Sequence, residues 1–198
     1  MLIVEGYQIH LHKNPEEFTD DELYEFCVLN KNFRIERDKD QNIIVMAPVG
    51  GNSGFFEKDL IFEVEQWVRS NQKGYSFSSS TGFLLPNGAM RSPDACWVSE
   101  ERWASLSPEQ KQKFPPVVPD FVVEIRSASD ELQSLQDKME EWIENGVRLG
   151  WLLDIKNEKA YIYRIGESAE VIEGLIQKLT GEDVMPGFVV DLSGLQKP

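Results

Sequence analysis

The sequence has only two cysteines, no long apolar run, and fewer basic than acidic residues. No stretch approaches the roughly 18–20 apolar residues that a membrane helix requires, so we expect no spanning segment. Cys27 and Cys96 form neither a Cys-x-x-Cys motif nor a disulfide framework. Residues 1–5 include an acid where a secretory signal has its basic region, so export is not expected. These absences predict a cytoplasmic protein that has no membrane contact.

Several catalytic and binding motifs are also missing. The sequence contains neither of the glycine-rich nucleotide-binding patterns G-x-x-x-x-G-K-[ST] and G-x-G-x-x-G. Its two histidines, His10 and His12, leave no convincing Ser-His-Asp arrangement. No cysteine or acidic cluster accompanies them, which favours a surface role over metal binding.

The charge is strongly negative, with 20 Lys and Arg against 34 Asp and Glu, a formal net charge of −14. Proteins that hold nucleic acid through a broad basic surface gain most of their non-specific affinity by neutralising phosphates. A net charge of −14 disfavours that mode of binding. Any polyanion must therefore meet a local positive patch, a bound cation, or both.

The length of 198 residues and the 41% hydrophobic content predict one globular domain over residues 1–198. The order of helix, mixed strands, helix and strand predicts an α/β domain around one sheet. Residues 120–125 form a dense β-favouring run, typical of a central strand buried on both faces.

Local patterns predict the flanking elements. A capping box at Thr19–Glu22 opens a first helix, and Asn52 and Ser53 precede a long apolar helical pattern. Residues 127–130 are expected to cap a later helix that ends near 145–146. Paired β-favouring runs predict two hairpins, over residues 33–46 and 147–164, and residues 184–195 are expected to pack back on the body.

Two acids stand in segments that otherwise favour burial. Glu124 lies within the predicted central strand, and Asp94 directly precedes the strand-like residues 95–98. A buried carboxylate is costly unless something pairs with it. Two carboxylates at adjacent strand ends could bind a divalent cation, and hard oxygen ligands favour Mg²⁺ or Mn²⁺ over zinc.

Lys138 is the only basic residue between positions 130 and 145, a segment otherwise rich in acids. Helical geometry puts it about 90° from the centre of the apolar stripe. From that border a lysine can keep its stem packed while its ammonium reaches along the sheet. An ammonium there could orient a water or stabilise negative charge that develops during phosphoryl transfer.

Asp94, Glu124 and Lys138 together resemble the site of the PD-(D/E)XK nuclease superfamily, and the chain resembles more closely its Uma-type bacterial restriction endonuclease family. The matching segments are residues 80–86, 91–95, 119–124 with Ser127 and Asp130, Lys138 in its helix, and 146–147 leading to 151–154. By their order and spacing the resemblance covers a core from about 19 to 192. The resemblance implies a restriction-endonuclease-like α/β fold, with a mixed central sheet flanked by helices. It also implies a metal-dependent endonuclease acting on DNA. It implies that Asp94 and Glu124 hold Mg²⁺ or Mn²⁺, that Lys138 is catalytic, and that the protein is a homo-oligomer, most simply a dimer.

The sequence departs from the superfamily pattern at Arg126, which stands where that pattern has its lysine. Arginine keeps its proton at any relevant pH and cannot act as a base. In the Uma-type family the lysine has moved to the following helix, which Lys138 matches. Glu36 matches a further acidic position of the family and could add a third carboxylate.

Structural alternatives stand beside each of these assignments. Asp94 could cap a turn, Glu124 could form an ion pair with Arg126, and Lys138 could pair with Glu141. The protein as a whole could be a non-catalytic regulatory or oligomeric protein that retains the nuclease fold, which the charge of −14 favours. A third possibility is that the same site acts on RNA or on a small phosphodiester.

Overall fold

The computed structural model describes residues 3–5, 8–11, 18–174 and 178–194, with side chains from residue 18 onward. The prediction of a surface role for the two histidines falls outside the described residues, because it concerns His12 and the side chain of His10. The described residues form five α-helices: α1 (Asp20–Leu29), α2 (Gly51–Asn71), α3 (Glu100–Ala104), α4 (Pro108–Gln112) and α5 (Leu132–Glu144). They also form fourteen strands: β1 (Ile3–Glu5), β2 (Gln8–Leu11), β3 (Arg34–Arg37), β4 (Ile43–Met46), β5 (Tyr75–Phe77), β6 (Phe83–Leu84), β7 (Met90–Arg91), β8 (Ala95–Val98), β9 (Phe121–Ile125), β10 (Leu149–Asp154), β11 (Lys159–Arg164), β12 (Glu170–Glu173), β13 (Lys178–Thr180) and β14 (Val189–Asp191).

The chain divides into two compact units. The first contains residues 1–48, 80–92 and 105–117, and the second contains residues 49–79, 93–104 and 118–198. The chain passes more than once between them, so neither unit is a continuous segment. The single domain predicted for residues 1–198 stays a prediction. Among the described residues, no helix is both long enough and apolar enough to span a membrane.

The first unit is built on an antiparallel sheet with the strand order β1-β2-β4-β3-β7-β6. The predicted hairpin is confirmed, since β3 pairs with β4 and Arg37 lies opposite Ile43. Helix α1 begins with the predicted capping box, in which the Thr19 hydroxyl accepts the Glu22 N–H and the Glu22 carboxylate accepts the Thr19 N–H. The core of this unit is apolar: Leu23, Ile35, Ile43, Val45 and Met90.

The second unit is built on a mixed sheet with the strand order β12-β11-β10-β9-β8-β5. Strands β9 and β10 are parallel, while their outer neighbours β8 and β11 pair with them in the antiparallel sense. Parallel neighbours need a crossover connection, and α5 supplies it between β9 and β10. Every residue of β9 is buried. The predicted central strand and the predicted α/β class with a mixed sheet are therefore confirmed.

Helices cover the two faces of this mixed sheet. Helix α2 packs on the face of Phe121, Val123 and Ile125, where residues 184–192 also join the core as predicted. Helix α5 packs against β9, β10 and β11. Because successive strand residues point to opposite faces, Val122 and Glu124 lie on the face that α5 covers.

A glycine allows α5 to lie close to the sheet. Gly150 is opposite Val122 in the β9–β10 register. A Cβ atom on Gly150 would lie 2.4 Å from Cε of Met139, a fully buried residue of α5. Met139 therefore occupies the space that a side chain at position 150 would take. This close packing brings α5 within reach of the strand that carries Glu124.

Two predicted helix starts are wrong. Helix α2 already begins at Gly51 with Gly50 as its N-cap, so the predicted cap at positions 52–53 lies inside the helix. Helix α5 begins at Leu132 with Glu131 as its N-cap. The Asp130 carboxylate instead accepts the Ser127 N–H at 2.8 Å and closes a turn before the helix. Short polar side chains stabilise caps and turns through the same hydrogen bonds, so the pattern alone does not distinguish them.

Candidate functional site

Glu124 is a carboxylate in the middle of the mixed sheet, and only 3% of the residue is exposed. Its Oε1 atom lies 2.8 Å from the Lys138 ammonium nitrogen. The same oxygen accepts the indole N–H of Trp142 at 3.0 Å. The charge that would be costly to bury alone is thus compensated by one cation and one neutral donor.

Both partners come from α5. Lys138 and Trp142 are four residues apart, so they lie on the same side of the helix, one turn after the other. The Lys138 side chain is 12% exposed, and Trp142 is fully buried. Lys138 therefore projects towards the sheet, as expected for a residue at the border of the apolar stripe. Its ion pair joins it to Glu124 on the sheet, a partner other than the Glu141 of the alternative assignment.

Asp94 lies one residue before β8 and bonds to both neighbours of Glu124. Its backbone N–H donates to the Val123 carbonyl oxygen at 3.0 Å, and its Oδ2 atom accepts the Ile125 N–H at 2.8 Å. The second bond spans 31 positions of sequence, so this oxygen bonds across the sheet and not within a local turn. The two bonds hold Asp94 beside the backbone of Glu124, and the structure brings the three predicted residues into one region of the second unit.

Arg126 has a different ion-pair partner from the one considered in the alternative assignment. Its Nη1 atom lies 2.7 Å from Oδ2 of Asp154, and its Nε–H donates to the Asp130 carbonyl oxygen at 3.1 Å. Asp154 follows Leu153, which is opposite Ile125 in the parallel register. Arg126 therefore joins the ends of β9 and β10, while Lys138 is the residue that forms an ion pair with Glu124.

The surroundings shift the pKa values of two nearby groups. Burial by itself would raise the pKa of Asp154, but hydrogen bonds from Asn157 and the ion pair with Arg126 lower it overall. Burial raises the pKa of the Cys96 thiol well above its usual range, and the charge of Glu124 adds to this effect. Cys96 therefore stays protonated and is a packing residue, since the thiolate is the reactive form.

Glu36 belongs to the first unit and is also buried, with 2% of the residue exposed. Its Oε2 atom lies 3.1 Å from Nη1 of Arg91, and its Oε1 atom accepts the Ser92 N–H at 3.0 Å. All three residues lie in the same unit. The idea that Glu36 adds a third carboxylate to the site stays a hypothesis.

Trp142 is the site residue that the sequence does not predict. It belongs to the apolar stripe of α5, where a tryptophan counts as a core residue. Its indole N–H nevertheless needs a partner when buried. The available signal is the spacing of four between Trp142 and Lys138, which puts an N–H donor beside the ammonium on one helix face.

Comparison with known proteins agrees with this fold. A sequence model of the Uma2 family, described as "Putative restriction endonuclease", matches residues 20–193. The chain belongs to the Uma2 family. This confirms the family resemblance that the sequence segments indicated.

Among solved structures, the Uma2 chain is similar to a protein from Anabaena variabilis ATCC 29413 described as a "putative nuclease belonging to DUF820". The TM-score is 0.68 over 81% of this chain and 88% of that chain, at 14% sequence identity. The likeness confirms the predicted restriction-endonuclease-like fold. No protein with curated annotation matches the chain.

Proposed function

We propose that this Uma2 protein is a Mg²⁺-dependent endonuclease that hydrolyses phosphodiester bonds in DNA, with Asp94, Glu124 and Lys138 as its site. The observation that carries the proposal is the buried Glu124–Lys138 pair on a central strand, with Asp94 held alongside. A fold of this size does not need an ion pair there for stability, because well-packed apolar residues are often at least as stable as a buried pair. The family and the fold support the same chemistry.

The donor set fits a hard divalent cation. Within the described part of the chain, no group of three or more His, Cys, Asp or Glu is placed to hold a metal ion. A cation at this site would thus have two protein carboxylates, Asp94 and Glu124. Mg²⁺ is commonly bound in this way, with water and phosphate oxygens completing its shell, whereas zinc sites need more nitrogen or sulfur ligands. When bound, the cation polarises the phosphate and lowers the pKa of an attacking water.

The residues of the chain have distinct roles in this proposal. Lys138 orients the attacking water or stabilises the negative charge that accumulates on the phosphate. Arg126 cannot accept a proton, and its guanidinium is bonded to Asp154, so it maintains the strand ends. Lys138 therefore supplies the positive charge that the superfamily pattern has two residues after its glutamate.

The net charge of −14 requires DNA to be held locally. Few phosphate contacts imply a shallow dependence of binding on salt, because each neutralised phosphate contributes about one unit to the slope of log K against log salt. We therefore expect weak binding without a divalent cation.

A dimer, with two sites facing the two strands of a duplex, would increase the contact with DNA and is proposed on the family resemblance. Analytical ultracentrifugation at micromolar concentration tests the dimer.

The decisive experiment compares cleavage and metal binding in the same set of proteins. Duplex DNA, single-stranded DNA, RNA and a chromogenic diester are incubated with Mg²⁺ or Mn²⁺, with and without a chelator. We expect metal-dependent cleavage of duplex DNA that is lost in Asp94→Ala, Glu124→Ala and Lys138→Ala. Lys156→Ala, which changes a lysine in the turn after β10, is the control and should cleave like the wild type.

A second candidate function is a non-catalytic regulatory or oligomeric protein. The specific observation in its favour is that Glu124 already has a counter-ion from its own chain. If neither cation raises the melting temperature, and no substrate is cleaved, the enzyme proposal is wrong and the second candidate replaces it. Cleavage of RNA or of the diester alone would keep the site and change the substrate.

A further inference from the structure

Trp142 differs from another buried tryptophan of the same unit in the group that accepts its indole N–H. Trp97 donates to the backbone carbonyl oxygen of Lys73 at 2.9 Å. Trp142 donates to the carboxylate of Glu124 at 3.0 Å. A hydrogen bond to an ionised acceptor is roughly twice as strong as one between neutral groups. The indole of Trp142 therefore does more than satisfy its own N–H.

The two donors that meet at Oε1 of Glu124 differ in how freely they move. Trp142 is fully buried and has only two side-chain torsions, so the surrounding core determines the position of its indole. Lys138 is 12% exposed and carries its ammonium on a flexible four-carbon stem. The indole is the stationary partner, and the ammonium is the partner that can turn towards a phosphate or a water.

This difference matters if Lys138 changes partners during the reaction. When the ammonium turns away, the carboxylate loses its cationic donor at Oε1. The indole N–H then remains at Oε1 and limits rotation of the carboxyl group. A ligand held in one orientation binds a metal more tightly than one that must first be ordered, because less conformational entropy is lost.

We propose that Trp142 is a positioning residue, whose N–H bond to Oε1 keeps Glu124 in the orientation that binds the divalent cation. This inference rests on the proposed function of the site. Residues that hydrogen-bond metal ligands typically contribute about 10–100-fold to metal affinity. We expect the same range for the loss of this N–H.

The test replaces the indole with a ring that lacks the donor. Trp142→Phe keeps an aromatic side chain in the core but removes the N–H, and Trp97→Phe removes an N–H from a neutral acceptor in the same sheet. Isothermal titration with Mn²⁺ alone gives the dissociation constant, and thermal melting shows whether each variant is folded. We expect the constant of Trp142→Phe to rise by about 10–100-fold and that of Trp97→Phe to stay within about 3-fold.

A second measurement uses the wild-type protein and does not depend on the variant folding. The indole ¹⁵N–¹H resonances are assigned by triple-resonance experiments and followed during titration with Mg²⁺. We expect the Trp142 resonance to shift with the same midpoint as the calorimetric binding, and the Trp97 resonance to shift less. In Glu124→Gln the Trp142 proton should move upfield without metal, because a neutral amide replaces the carboxylate.

The outcomes separate the two proposals. If the wild type binds Mn²⁺ but Trp142→Phe binds it equally well, the positioning role is wrong and the proposed function stands. The same conclusion follows if the metal binds but does not shift the Trp142 resonance. If the wild type binds neither cation, the proposed function is wrong, and the positioning role is overturned with it. Equal weakening in both tryptophan variants would show a purely structural effect and would also overturn the inference.

Discussion

Each unit contains a buried glutamate beside a cation, Glu36 in the first and Glu124 in the second, and the two are compensated in different ways. Glu36 is 2% exposed and has a separate partner at each oxygen, the Arg91 guanidinium and the Ser92 backbone N–H. Glu124 is 3% exposed, and both Lys138 and Trp142 reach the same oxygen. The degree of burial is nearly equal, so the comparison depends on the partners.

The chemistry of the partners separates a structural from an exchangeable counter-ion. A guanidinium is planar, weakly hydrated and always charged. The Ser92 N–H belongs to the backbone, so it has no side-chain torsion through which it could turn away. An ammonium is a compact point charge on a mobile stem. We therefore expect the compensation of Glu36 to be permanent, whereas a metal ion can take the place of Lys138 beside Glu124.

The largest expected effect follows from removing each counter-ion in turn. Lys138→Met and Arg91→Met each remove the cation beside a buried carboxylate, and each should lower the free energy of unfolding by about 3–5 kcal/mol. Urea denaturation measures the loss with and without Mn²⁺. We expect Mn²⁺ to restore stability in Lys138→Met but not in Arg91→Met. Equal rescue of both variants, or rescue of neither, would contradict the distinction.

A smaller effect is expected when each glutamate is neutralised instead. Glu124→Gln removes a proposed ligand, so the dissociation constant for Mn²⁺ should rise more than about 100-fold, above the range for an outer partner. Glu36→Gln should leave it within about 3-fold while lowering the melting temperature. Calorimetry decides the point. A similar rise in both variants would identify Glu36 as a third carboxylate ligand.

The next effect concerns the close approach of α5 to the sheet that carries Glu124. Gly150→Ala brings a methyl group against Met139 and should lower the free energy of unfolding by about 1–3 kcal/mol, with weaker Mn²⁺ binding because α5 moves outward. Gly54→Ala lies in α2, where the added Cβ meets only Cγ2 of Val49 at 3.8 Å. This control should gain about 0.5–1 kcal/mol. Unchanged stability and metal binding in Gly150→Ala would show that the glycine is not needed.

The smallest effect is a pH dependence at the strand ends. The pKa of Asp154 is lower in the folded protein than in the unfolded chain, because bonds from Asn157 and Arg126 outweigh its burial. Its contribution to stability is therefore fully present above the unfolded value of about 4 and is lost as pH falls through the lower folded value. Asp154→Asn should flatten this acid limb in denaturation curves measured between pH 2 and 6. An unchanged limb would mean that Asp154 titrates at its ordinary value.

Part of the site can be predicted from the sequence because it depends on local geometry. The 3.6-residue helical period puts Lys138 beside the apolar stripe, and the run of β-favouring residues around Glu124 indicates a buried strand. The partner of Arg126 could not be predicted in this way. It depends on the parallel register of β9 and β10, which brings Asp154 next to Arg126 only after the chain has crossed through α5.

Hydrogen-bond donors within apolar patterns also limit what can be predicted from the sequence. Trp142 fits the apolar stripe of α5 as well as Met139 does, so hydropathy does not reveal its N–H bond to Glu124. The predicted start of α5 is wrong for a related reason. Asp130 could cap the helix or close the preceding turn, and the competition between these hydrogen bonds is settled only by the path of the chain after β9.

The salt bridge between Glu124 and Lys138 also bears on whether folding requires a metal ion. Small zinc domains unfold when their metal is withdrawn, because the ion contributes directly to the energy of folding. Here the chain supplies its own counter-ion to Glu124, so we expect the protein to fold without a metal ion. If the proposed cation binds at this site, a chelator would then stop catalysis and leave the protein folded.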